Sequence, residues 1–133
     1  MDMEQLIGKE TIANIEVGFN DTAKAMKSGG LDVLATPKMV ALMENAAYDL
    51  VQSHLDQGKT TVGTGLTIKH LSPTPMRMTV KATAKLVEAQ GKKLVFKVEA
   101  WDEIEKIGEG THERYIVDME RFIDKCNSKI KGI

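Results

Sequence analysis

The chain has 133 residues, 42% of them hydrophobic and 28% charged, with a net charge of −1. That is the length of one domain with one good core. The near-balance of charge gives no global field for nucleic acid or an anionic membrane. No apolar run approaches the roughly 18 residues of a membrane span, and the start, Met1-Asp-Met-Glu-Gln5, lacks a secretory pattern. The single cysteine, Cys126, excludes an internal disulfide and a cysteine-based zinc site, and makes a reducing cytoplasm the expected compartment.

Ala13, Ile15, Val17 and Phe19 alternate with polar residues and predict a first strand, followed by a short helix near Asp21–Lys27. The spacing predicts a long helix over Thr36–Leu55, with Thr36 as N-cap and Pro37 at the first helical position. Its apolar positions, Met39, Val40, Leu42, Met43, Ala46, Ala47, Leu50 and Val51, cover about half the circumference. Only a narrow stripe of Lys38, Asn45, Asp49 and Gln52 is polar, so the helix is expected to be wrapped by other elements. Glu44 sits at the edge of the apolar arc, where a carboxylate needs either solvent or a partner. His54 falls in the last turn of the same helix, where a half-buried or dipole-stabilising role suffices.

In the strand-like run Thr60–Leu71, counting by twos places Val62, Thr64, Leu66, Ile68 and His70 on the inner face. The other face takes Thr61, Gly63, Gly65, Thr67 and Lys69. The turn Leu71-Ser-Pro-Thr-Pro75 follows at once and puts the His70 imidazole at the mouth of the strand. An inward histidine there is either an acid/base group or a satisfied core residue. Gly63 and Gly65 mark a bulge or a close backbone approach.

Three further strands carry the inward sets Met78, Val80, Ala82, Ala84, Leu86, then Leu94, Phe96, Val98, Ala100, then Tyr115, Val117, Met119. On the last, His112 and Arg114 are assigned to the outer, solvated side. A final helix over about Met119–Lys131 has Phe122, Ile123, Cys126 and Ile130 as its packing stripe. No crossover helices separate the later strands, which excludes a doubly wound sheet. The expected fold class is α+β, one domain over residues 1–133, with an antiparallel sheet of about five strands curved around the long helix.

Three segments carry a resemblance. They are Leu34-Ala-Thr-Pro-Lys-Met-Val-Ala-Leu-Met-Glu44, Val62-Gly-Thr-Gly-Leu-Thr-Ile-Lys-His-Leu-Ser-Pro-Thr-Pro75 and Gly110-Thr-His-Glu-Arg-Tyr-Ile-Val117. Together they resemble the hotdog-fold thioesterases of the fluoroacetyl-CoA thioesterase-like group, in order and in spacing. The resemblance implies a hotdog fold and hydrolysis of an acyl-CoA thioester. It implies catalytic roles for Thr36, Glu44 and His70, an acyl-pocket position for Gly63, and a place at the site for Arg114. It implies no metal and no cofactor beyond the CoA carried by the substrate, and no nucleic-acid or membrane partner. The fluoroacetyl-selective member has an aromatic gate just upstream of the threonine. This chain has Ser28-Gly-Gly-Leu31 there, so a general short or medium acyl group is expected.

Helix geometry adds a constraint. Eight residues at about 1.5 Å each put Thr36 and Glu44 about 12 Å apart along the axis. Either the acyl thioester spans that gap or the residues meet across a subunit boundary, with His70 approaching Glu44 of a neighbouring subunit. Open sheet edges and the pairing of hotdog domains favour a homodimer or a dimer of dimers. The competing readings are a hotdog dehydratase on 3-hydroxyacyl thioesters and a non-catalytic acyl-CoA binding module. The dehydratase would need a histidine followed by Asp or Asn on the long helix, and His54 lies at the wrong end for that.

Overall fold

In the computed structural model, which describes residues 2–131, the chain runs through strand β1 (Glu10–Glu16), a short helix α1 (Ala23–Met26) and the long helix α2 (Thr36–Gln52). Four strands follow, β2 (Lys59–His70), β3 (Thr79–Gln90), β4 (Lys93–Trp101) and β5 (Lys106–Asp118), and helix α3 (Met119–Asn127) comes last. All strand pairs are antiparallel, in the spatial order β1-β3-β4-β5-β2. This is the expected helix wrapped by a five-stranded sheet.

The core lies between α2 and the concave sheet face. Met39, Leu42, Met43, Ala46, Ala47, Leu50 and Val51 of the helix are buried, and so are Val80, Ala82, Ala84 and Leu86 of β3 and Leu94, Phe96, Val98 and Ala100 of β4. Each large aliphatic side chain buried this way contributes about 1.5–3 kcal/mol. The small residues Ala82, Ala84, Ala100 and Gly108 let the helix lie close to the sheet. Met39 fills the space over Gly108, where a Cβ would come within 2.7 Å of its Cε. Among the described residues, no helix is long and apolar enough to cross a membrane.

The structure departs from the sequence expectations in several places. Phe19 is 54% exposed in a 3₁₀ turn rather than inward on β1, because the strand ends at Glu16. Helix α2 stops at Gln52, so His54 lies in the following turn and not on the helix. Tyr115 and Met119 are 43% and 44% exposed, and the inner face of β5 is instead Gly108, Gly110, His112 and Arg114, opposite Ala100, Val98, Phe96 and Leu94. The apolar stripe of α3 does not pack: Phe122, Ile123, Cys126 and Ile130 are all exposed.

A further departure, in β2, shapes the site. The β2–β5 register slips between Gly63 and Gly65, leaving Thr64 as an extra residue. One extra residue reverses the alternation of everything before it. Leu66, Ile68 and His70 pair with His112, Gly110 and Gly108 on the helix side, as expected. Upstream of the bulge, however, Thr61 and Gly63 take that side, opposite Ile116 and Arg114. Val62 and Thr64 turn to the outer face, where the Thr64 hydroxyl donates to Glu113 Oε2 at 2.8 Å.

The two strand glycines on either side of the β2–β5 pair predict opposite responses. A Cβ at Gly110 would overlap the Thr67 carbonyl oxygen and sit 2.8 Å from Ile68 Cδ1, whereas one at Gly65 would meet only Glu113 Cβ at 3.6 Å. Gly110→Ala should therefore lower stability by about 3 kcal/mol or prevent folding, and Gly65→Ala should change it by less than about 1 kcal/mol. Urea unfolding midpoints of the two variants check this.

Candidate active site

Two clusters of polar side chains face the inside of the sheet, one at each end of the first two turns of α2. The first joins Thr36 to His70. The start of α2 is capped by Ala35 through its backbone alone, Lys38 and Met39 donating to the Ala35 carbonyl at 3.1 and 3.0 Å. Thr36 is thus the first helical residue and not the N-cap expected from the sequence. Its hydroxyl is released from capping and meets His70 Nδ1 at 2.7 Å.

His70 is the last residue of β2, and its Nε2 is buried with no hydrogen-bond partner. Burial lowers its pKa below the usual histidine value, opposed by the Ser72 backbone, so the ring is neutral at pH 7. The imidazole and Thr36 line a cleft of about 340 Å³, with Ala23, Ser28, Leu34 and Pro73. A larger groove of about 630 Å³ between α3 and the end of β5 contains none of these residues.

The second cluster is built around Arg114, which is only 6% exposed. A buried guanidinium needs its N–H groups satisfied and a counter-charge within reach. Its Nε donates to Thr61 Oγ1 at 2.8 Å, its Nη2 to the Thr61 carbonyl at 3.0 Å, and its Nη1 to His112 Nε2 at 3.2 Å. The nearest carboxylate is Glu44, with Oε2 3.9 Å from Nη1. The Tyr48 ring lies 5.9 Å from the Arg114 Cζ. Gly63 completes the cluster: a Cβ there would sit 3.0 Å from Glu44 Oε2, 3.4 Å from His112 Cε1 and 3.5 Å from Arg114 Nη1.

His112 is fully buried beneath this guanidinium. Its Nδ1–H donates to the Gly65 carbonyl at 2.9 Å, so Nε2 carries the lone pair that accepts from Arg114. Burial is the largest cause of its lowered pKa, and the Arg114 charge adds to it. His112 and Arg114 therefore do not lie on the outer, solvated side of β5. The alternation of Gly108, Gly110, His112 and Arg114 against the apolar set of β4 is the signal that places them inside. It was masked by the apolar Tyr115, Val117 and Met119 in the other parity.

Within one chain the structure joins Thr36 to His70 and Glu44 to Arg114 and Gly63. It does not join the two pairs to each other. Among the described residues, no group of three or more His, Cys, Asp and Glu is placed to hold a metal ion.

The family model described as fluoroacetyl-CoA-specific thioesterase matches residues 17–120, a span that contains both clusters. The chain belongs to this family. The fluoroacetyl-CoA thioesterase of Streptantibioticus cattleyicolor is 38% identical over 98 residues, 74% of this chain and 70% of that protein. A solved structure of a fluoroacetyl-CoA thioesterase superposes with a TM-score of 0.89 at 31% identity, covering 92% of this chain and 96% of the other. A variant of such a thioesterase in complex with fluoroacetate and CoA superposes at 0.83 and 31%, covering 87% and 98%. A hot-dog-like protein from Thermanaerovibrio acidaminovorans, 20% identical with a TM-score of 0.87 over 97% of both chains, shares the hotdog fold.

The two lowered histidine pKa values have a consequence for this thioesterase-family fold. A histidine neutral in the folded state and free to protonate in the unfolded one gives the unfolded chain more protons below the usual value of 6.5. Stability is therefore fully present above pH 6.5 and falls on acidification through the window beneath it. Melting temperatures at pH 7.5 and 5.5 should show that fall. His112→Asn should flatten part of it; an unchanged slope would mean that His112 is not buried neutral.

Proposed function

We propose that this chain hydrolyses short or medium acyl-CoA thioesters to the free acid and CoA, with His70 as the acid/base group. The observation that carries the reading is the state of His70: one ring nitrogen is tethered to Thr36 Oγ1 at 2.7 Å, and the other is buried and without a partner at the cleft. With Nδ1–H donating to Thr36, Nε2 carries the lone pair and is the ring's free base. A water molecule attacks the thioester carbonyl carbon and its proton passes to Nε2. The tetrahedral intermediate then collapses with breakage of the C–S bond, and His70 returns the proton to the CoA thiolate. Pro37 has no N–H, and Lys38 and Met39 already donate to the Ala35 carbonyl, so the Thr36 N–H is the first-turn donor left for the developing oxyanion. The segment Ser28-Gly-Gly-Leu31 brings no aromatic ring to the cleft, which supports a general acyl substrate over fluoroacetyl selectivity.

Glu44 orients the attacking water, with Arg114 as its counter-charge and Gly63 as the gap beside it. Because it lies about 12 Å along α2 from Thr36, it reaches the same substrate from a second protomer. The unpaired outer edge of β2, with Leu66 44% exposed on it and Tyr48 38% exposed beside it, supports a homodimer through this edge. The single-domain chain then works in the cytoplasm as that dimer, or as a dimer of dimers, with two composite sites.

Thiol release from a panel of acyl-CoAs tests the activity. His70→Ala should lose about 10²–10⁴-fold in kcat; equal rates for wild type and His70→Ala on every thioester would end the enzyme reading. The acid limb of kcat/KM should fall below pH 6.5, following the direction of the His70 shift. Verified heterodimers of Glu44→Ala with His70→Ala subunits should regain part of the wild-type activity, and no recovery would refute the shared site.

A further inference from the structure

His112 takes no part in the reaction proposed above, yet it is the most deeply buried polar group beside it. A fully buried imidazole is costly next to a guanidinium unless it accepts a hydrogen bond. It does accept one, and its acceptor state is enforced from behind by the Gly65 carbonyl, which takes the Nδ1–H at 2.9 Å. The ring is also stacked on Phe96, with centroids 6.1 Å apart and planes at 30°. It is therefore a fixed object.

The guanidinium of Arg114 is pinned along one edge by Thr61, through Nε and Nη2. The remaining nitrogen, Nη1, is the one that faces Glu44, and its hydrogen-bond partner is His112 Nε2 at 3.2 Å. The Nη1–Glu44 separation of 3.9 Å is too long for a hydrogen bond, so the carboxylate is held by charge alone. Its direction then depends on where Nη1 stands. Glu44 Oε2, His112 Cε1 and Arg114 Nη1 converge within 3.5 Å of the position that a Gly63 side chain would fill.

We infer that His112 is a positioning residue for the thioester hydrolysis: its Nε2 fixes Arg114 Nη1, and through it the direction in which Glu44 is presented beside Gly63. The inference rests on the reading that Glu44 works on the thioester. It assigns His112 to orientation and not to substrate binding, so its loss should appear in kcat with KM little changed.

Two substitutions separate positioning from packing. In His112→Asn the side-chain N–H can still donate to Gly65, but nothing reaches Arg114. In His112→Gln the amide oxygen can accept from Arg114 at the cost of the Gly65 bond. Asn should lower kcat by about 10–100-fold, while Gln should restore most of it. In both, KM for the best acyl-CoA should stay within about threefold. The Arg114 guanidinium proton resonances supply a readout independent of turnover: Nη1–H exchange should be slow in wild type and in Gln, and fast in Asn. Equal loss in the two variants, tracking loss of folded protein, would overturn the inference, as would Arg114 resonances unchanged in Asn. If wild type hydrolyses no acyl-CoA, the functional reading fails and the Arg114 resonances alone decide the role of His112.

Discussion

One extra residue in β2, Thr64, determines which side chains the central helix meets. Alternation along a strand has a period of two, so an uninterrupted β2 would send Thr61 and Gly63 to the face opposite His70. The bulge brings both halves of the strand to the helix side. Downstream it delivers His70 to the start of α2, and upstream it delivers the Thr61 acceptors and the Gly63 gap two turns further along. The Gly65 carbonyl at the bulge also sets the tautomer of His112. A local irregularity in backbone pairing thus builds both clusters.

The two clusters solve different electrostatic problems. At Thr36 and His70 the groups are uncharged, and burial keeps the imidazole neutral and basic at its free nitrogen. At Arg114 a full charge is buried, which is tolerable because neutral acceptors take a hydrogen bond from each of its three nitrogens and a partly exposed carboxylate stands nearby. The helix separates them by more than a side chain can span. A pair of protomers resolves this if the base of one works with the carboxylate of the other.

Much of this architecture is legible in the amino-acid sequence. The apolar arc of α2 and the clean alternation of β3 and β4 reflect burial on one face, and the structure keeps those sets inside except for Val40 and Met78, which are only half-buried. Thr36, Glu44, His70, Gly63 and Arg114 are named by motif, and each lies in one of the two clusters. Periodicity fails where its premise fails. A bulge is an exception to period two, so the glycines announce it without saying which half of the strand reverses. On β5 the inner face is glycine, histidine and arginine, and the outer face carries Tyr115 and Val117, so hydrophobicity points the wrong way. Thr36 has the right chemistry for a cap, and its pairing with a residue 34 positions away is a tertiary fact. For the same reason the α3 stripe reads as packing although Phe122, Ile123, Cys126 and Ile130 stay exposed.

The bulge is tested most directly by contacts in solution. In a nuclear Overhauser experiment on the folded protein, the Gly63 α-protons should show cross-peaks to the His112 Hε1 proton, while the His70 ring shows cross-peaks to the Thr36 methyl. Both contacts in one sample require the reversal of alternation at Thr64. Cross-peaks from the Val62 methyls to His112 or to α2, in place of those from Gly63, would contradict the account.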